Sequence, residues 1–143
     1  MMKGGNDLSK DVERVKIRLN RITLLSLREY KRLKYGDEEI PLSDSYVVSE
    51  AYNLILDKIE NIDWKKVNEA DIPNVSDNQD FPATSLPTTL SLDDEVLLGL
   101  RGIQNDLIEK TGGRVFFSYV IKIVLLASIL EISDRLNNYK KNE

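Results

Sequence analysis

The chain repeats itself at an offset of 73 residues, and this constrains its fold more than any other feature of its sequence. Leu24-Leu25-Ser26-Leu27-Arg28 returns as Leu97-Leu98-Gly99-Leu100-Arg101, and Ser45-Tyr46-Val47-Val48 returns as Ser118-Tyr119-Val120-Ile121. Leu19 with Leu92 and Ile59 with Ile132 are identical in the same register, with no gap. Two blocks in one register are what a duplicated unit leaves behind. A chain of 143 residues divided this way gives units of about 45 residues, below the size at which one core usually folds alone, so each copy needs the other to cover its apolar face.

Each unit opens with alternation. Val15-Lys16-Ile17-Arg18-Leu19-Asn20 places apolar side chains at every second position, which predicts a strand burying Val15, Ile17 and Leu19 and exposing Lys16, Arg18 and Asn20. Thr88-Thr89-Leu90-Ser91-Leu92-Asp93 does the same, with Thr89 and Ser91 outward and Asp93 as the N-cap of the next helix. The period then changes to that of a helix. In the second copy Val96, Leu97, Leu100, Ile103 and Leu107 fall on one stripe that Gly112-Gly113 ends; in the first, Leu24, Leu27 and Tyr30 fall on a stripe that ends at Gly36. Ser43 caps a second helix predicted from about Asp44 to Ile59, whose counterpart runs from about Phe116 to Leu136. That last stretch, VFFSYVIKIVLLASILEI, is apolar nearly all round. It is short for a membrane span, and Lys122, Glu131 and Asp134 interrupt or close it, so it reads as the centre of a small core.

Cysteine and histidine are both absent, which removes disulfides, Cys/His zinc sites, catalytic thiols and any Ser-His-Asp triad. The acidic turn Gly36-Asp37-Glu38-Glu39 has the spacing of neither a phosphate loop nor a calcium loop, and Asp93-Asp94 sits where a helix start favours acids. No enzymatic activity, cofactor, metal or small-molecule substrate is expected. The opening MMKGGNDLSK has no apolar signal core, which with the lack of cysteine points to the cytoplasm, and no membrane partner is expected. The net charge of −4 hides an uneven distribution: residues 1–36 carry ten Lys or Arg against four Asp or Glu, and residues 37–82 carry three against twelve. A basic leading segment can attract phosphate on an acidic protein because charges are screened over roughly 8 Å at physiological salt.

Strand, helix and helix, with Ser-Tyr-Val opening the last of them, resembles the ribbon-helix-helix (MetJ/Arc) superfamily of DNA-binding proteins, present twice in tandem. TTLSLDDEVLLGL with FFSYVIKIVLLA, and VKIRLNRITLLSL with LSDSYVVSEAYNLIL, carry the resemblance. It implies a mainly α fold with a short two-stranded antiparallel ribbon, two tandem units forming an intramolecular pseudo-dimer, and a ribbon that enters the major groove. On this reading residues 1–14 are a basic N-terminal arm, 15–60 the first unit, 61–86 an acidic connector, 87–136 the second unit and 137–143 a polar tail. As a flexible chain the connector would span roughly 25 to 30 Å, enough to return the chain along a helix, with Trp64 as an anchor. Pairing within one chain and swapped pairing between two chains both satisfy that length.

The resemblance makes double-stranded DNA the expected partner, with self-association of the chain on DNA as a second expectation. Base contacts are expected from Lys16 and Arg18 to guanine, from Asn20 to adenine, and from Thr89 and Ser91. Phosphate contacts are expected at the N-termini of the two second helices, from Ser43 and Ser45 in one unit and Arg114 and Ser118 in the other. The units depart from each other here, since Asp44 repels phosphate and Phe116 stands where the first unit has Ser43. An asymmetric DNA site is the expected result. Within DNA binding, a transcriptional repressor and an accessory of plasmid transfer or conjugation remain open. The alternative class is an antitoxin-like interaction module whose connector or tail holds a partner protein.

Overall fold

The computed structural model describes residues 11–76 and 85–141. Strand β1, Val12–Asn20, runs directly into helix α1, Arg21–Tyr35, and helix α2, Asp44–Ile55, continues as a 3-10 segment over Leu56–Asn61. Helix α3, Trp64–Asn68, is short. Strand β2, Ser85–Asp93, then leads into α4, Asp94–Thr111, and α5, Phe117–Ile132, before a last 3-10 turn at Leu136–Tyr139. Both strands and the four long helices keep the 73-residue register at their starts: Val12 with Ser85, Arg21 with Asp94, and Asp44 with Phe117.

The expected tandem ribbon-helix-helix units, paired as a pseudo-dimer, are not what the chain builds. It is mainly helical, with five α-helices among the described residues and one sheet made of β1 and β2. Neither half has a sheet of its own, because the backbone groups of each strand find their partners on the other. Nor are the halves equivalent. α5 is buried along almost its whole length, from Val120 and Ile121 through Leu130, and touches each of the other four helices as well as β1. α2, its counterpart in the repeat, buries only the stripe Val47, Val48, Ala51, Tyr52 and Ile55. The difference is composition: where α2 has Glu50 and Asn53, α5 has Ile123 and Leu126, so one helix can be surrounded and the other cannot.

Local chemistry explains the ends of these elements. Ser43 accepts the backbone N–H of Tyr46 as N-cap of α2, as expected, and Gly36 and Gly112 close α1 and α4 in the left-handed conformation that glycine adopts without strain. α5 ends at Ile132, four residues before the expected Leu136, where Asp134 turns the chain at a φ of 59°. α2 likewise tightens at Leu56, short of the expected Ile59, and its 3-10 extension is tied to α5 by a Lys58–Glu131 ion pair. No helix among the described residues is long and apolar enough to cross a membrane.

The connector departs most from expectation. Its first part is folded, and Ile62, Trp64, Val67, Ile72 and Val75 are all buried in the common core. Asn74 donates to the buried Glu29 of α1, which Arg32 also holds through two hydrogen bonds, so the turn at residues 73–76 is fastened to the first helix. The tail is fastened to the connector. Asp63 N–H donates to the Tyr139 carbonyl at 2.8 Å, Lys141 N–H to that of Asn61 at 2.8 Å, and Ile62 bridges Lys140. Apolar residues spaced through an acidic segment are a core signal that its net charge obscured. Residues 77–84, including Pro82, lie outside the described residues, as does most of the expected basic arm.

One close approach fixes how α2 meets α4. A Cβ built on Gly99 would lie 1.7 Å from the Tyr52 hydroxyl oxygen, so the tyrosine of α2 occupies a seat that only glycine leaves open.

Candidate nucleic-acid interface

The two strands run antiparallel in a register that pairs Arg14 with Ser91, Lys16 with Thr89, Arg18 with Pro87 and Asn20 with Ser85. Opposed residues point to the same side of a pleated pair, so all of these share one face. The pairs between them, Val15 with Leu90 and Leu19 with Leu86, share the other, where Leu19, Leu90 and Leu92 are fully buried against the helices. The alternation inferred from sequence is thus the alternation observed. On the outer face Arg14, Lys16, Arg18, Thr89 and Ser91 are all exposed. Side chains two residues apart on a strand are spaced ~7 Å, so three cations form a row along β1 beside a row of hydroxyls on β2.

Arg14 belongs to this row although it fell outside the expected strand, because β1 begins at Val12 rather than Val15. Its signal was present: Arg14, Lys16 and Arg18 continue one period of two. Ser85 and Pro87 extend β2 in the same way, so the strand starts within the expected connector, 61–86.

Asn20 is corrected. Its Oδ1 accepts both the backbone N–H of Thr23 at 3.0 Å and the Thr23 hydroxyl at 2.9 Å, which makes it the N-cap of α1. A paired contact to adenine needs that same oxygen as acceptor, so the residue serves the strand-to-helix junction instead.

The helix N-termini also divide. Ser45, at the start of α2, accepts the backbone N–H of Ser91 at 2.8 Å and so pins that helix to the outer edge of β2. Its oxygen is engaged in the fold while its hydroxyl proton can still be donated. Ser43 is exposed and engaged as the cap, with Asp44 directly after it. At α5 the N-cap position is Phe116, with no side-chain cap, so the first turn of the helix keeps unpaired N–H groups. Phe116 is 62% exposed, and Arg114 stands 5.7 Å from its ring centroid; Arg101 stands 4.2 Å from the ring of Phe117. Ser118 is half-buried in that first turn. The sequence presents Asp44 at one helix start and two arginines near the other, so the electrostatic conditions for an anion are better at α5.

Other titratable groups serve the interior. Glu50 accepts hydrogen bonds from Tyr30 at 2.8 Å and from Tyr35 at 2.6 Å, joining α1 to α2. Both phenols are pushed above their ordinary range, Tyr30 chiefly by burial and Tyr35 chiefly by its bond to Glu50. Lys122 is half-buried with its ammonium 4.6 Å from the Tyr119 ring centroid, and burial lowers its pKa. No protein-family model, no curated protein and no solved structure matches the chain.

Proposed function

We propose that this protein binds double-stranded DNA sequence-specifically in the cytoplasm, reading the major groove with the outer face of the β1–β2 ribbon, as a transcriptional repressor or an accessory of plasmid transfer. The observation that carries the reading is the row Arg14, Lys16 and Arg18 set directly beside Thr89 and Ser91 on one exposed face whose reverse is buried. A two-stranded ribbon fits a groove about 12 Å wide, and Arg and Lys donate to guanine O6 and N7 while hydroxyls accept or donate at either base type. Arg114 and the uncapped start of α5, with the hydroxyls of Ser43, Ser45 and Ser118, are the proposed phosphate contacts. β1 carries Arg14, Lys16 and Arg18 on this face where β2 sets Thr89 and Ser91 and no cation, so the preferred site is asymmetric. The alternative of an antitoxin-type module is not favoured, because much of the connector and tail that would hold a partner protein is folded against the body of the chain.

The test is selection from a random duplex pool at graded salt, with the wild type and with Lys16→Ala/Arg18→Ala. Enrichment of one asymmetric motif that the double variant loses supports the reading; binding that is equal for every sequence, or no binding at low salt, overturns it.

A further inference from the structure

We infer that Ser85 is a positioning residue for Arg18, fixing which edge of the guanidinium faces a base; the inference rests on the DNA-reading proposed above. Arg18 Nε donates to the Ser85 hydroxyl oxygen at 2.9 Å, and Nη2 donates to the Ser85 carbonyl at 3.2 Å. Nε and the near hydrogen of Nη2 form one edge of the planar guanidinium, and a single residue across the ribbon satisfies both. The edge left over is the other one, with Nη1 and the second hydrogen of Nη2 side by side. That pair has the spacing to donate to guanine O6 and N7 together.

The position of Ser85 on the ribbon reinforces this. It is directly opposite Asn20, whose oxygen is committed to capping α1, and Pro87 faces Arg18 without any polar group on its side chain. At this end of the ribbon Arg18 is the one cation on the outer face, and Ser85 holds it. An arginine on an exposed strand otherwise samples many rotamers, and ordering it at binding costs affinity for the correct base and the wrong one alike. A guanidinium held from behind loses less. Arg14 and Lys16 are opposite Ser91 and Thr89, and it is Arg18 whose planar guanidinium is held across the ribbon through two hydrogen bonds, so Arg18 is the position of sharpest discrimination.

The experiment compares wild type, Ser85→Ala, Ser85→Thr and Arg18→Ala by pool selection and by titration of the selected duplex and its single-base variants. A guanine preference that Arg18→Ala abolishes should fall about three- to tenfold in Ser85→Ala at that position alone, with an unchanged salt slope because no charge is removed. Ser85→Thr keeps the hydroxyl on a residue suited to a strand and should restore the preference. An unchanged preference in Ser85→Ala, with the wild type still selecting its motif, overturns the role of Ser85 and leaves the DNA-reading standing. Equal loss for all sequences together with a lower Tm makes Ser85 a structural residue of the ribbon and also overturns it. A wild type that selects nothing overturns the DNA-reading itself.

Discussion

α2 and α5 begin 73 residues apart and share Ser-Tyr-Val near their starts, yet one lies on the flank of the molecule and the other runs through its centre. Shared sequence sets where each helix starts. Which of them is surrounded is decided by a few substitutions along the outer stripe, where polar or exposed groups on α2 meet isoleucine or leucine on α5. Equal local plans therefore give unequal packing, and the short helix α3 and the apolar residues of the connector fill the space around α5 that a symmetric pair would leave to a second copy of α2.

The sharpest way to break this comparison is to truncate register-matched positions. Ile129→Ala in α5 should cost about 2–5 kcal/mol, because its side chain is 2% exposed, whereas Leu56→Ala, at 51% exposure, should cost under about 1 kcal/mol. Urea unfolding midpoints measure both, and equal costs would mean that the helices carry equal loads. Glu50→Ala comes next. It leaves the buried Tyr30 hydroxyl without its acceptor, for about 1–3 kcal/mol. Because Tyr30 and Tyr35 are raised in the folded state above an unfolded value of 10.0, their contribution is complete below that pH and is lost as pH rises past it. Glu50→Ala should therefore flatten the part of the decline in stability expected above about pH 10 that comes from Tyr35, while the part set by the burial of Tyr30 persists; an unchanged alkaline slope would refute that cause.

The two strands offer a parallel contrast. Lys16→Ala should weaken binding to the selected duplex roughly tenfold at low salt and reduce the salt slope by about one, while Thr89→Val should alter base preference with the slope intact. Fluorescence anisotropy across a salt series separates these outcomes. Ser45→Ala should cost about 1 kcal/mol, since the Ser91 N–H loses its acceptor, and more than Ser118→Ala in the matched position; chemical denaturation of both variants decides the order. The smallest effect is expected at Lys122. Its pKa is lowered by folding, so the unfolded chain binds the extra proton and stability rises with pH toward the ordinary lysine range. Lys122→Met should remove that rise and add about 0.5 kcal/mol near neutrality, readable as a Tm that no longer climbs with pH.

Much of the ribbon was legible in the sequence because alternation is a local property. Val15, Ile17 and Leu19 had to share one face, and Lys16 and Arg18 had to share the other, whatever the strand paired with. Ser43 and the glycines after α1 and α4 were legible for the same reason: a cap is chemistry within four residues. What was lost depended on partners distant in the chain. Asn20 is the last residue of the strand, as its alternation says, but only the direct junction with α1 makes it a cap as well, and Ser45 looked free because its partner, the Ser91 N–H, is 46 residues away. The connector was misread from its charge, since buried residues such as Val67 and Ile72 alternate with acids that point to water. Ser85 could not be recognised without the register, which alone brings it to Arg18.

The seat at Gly99 has a consequence for any attempt to rebuild the chain from a single half. In the 73-residue register Ser26 stands where Gly99 does, and Leu125 stands where Tyr52 does. A gene that repeated the first half twice would place a serine side chain under the tyrosine ring, at a distance that forces the Tyr52 ring out of its seat. One that repeated the second half twice would supply the glycine and lose the tyrosine that fills it. At this contact the two copies have become lock and key to each other, and exchanging either for its twin undoes the fit.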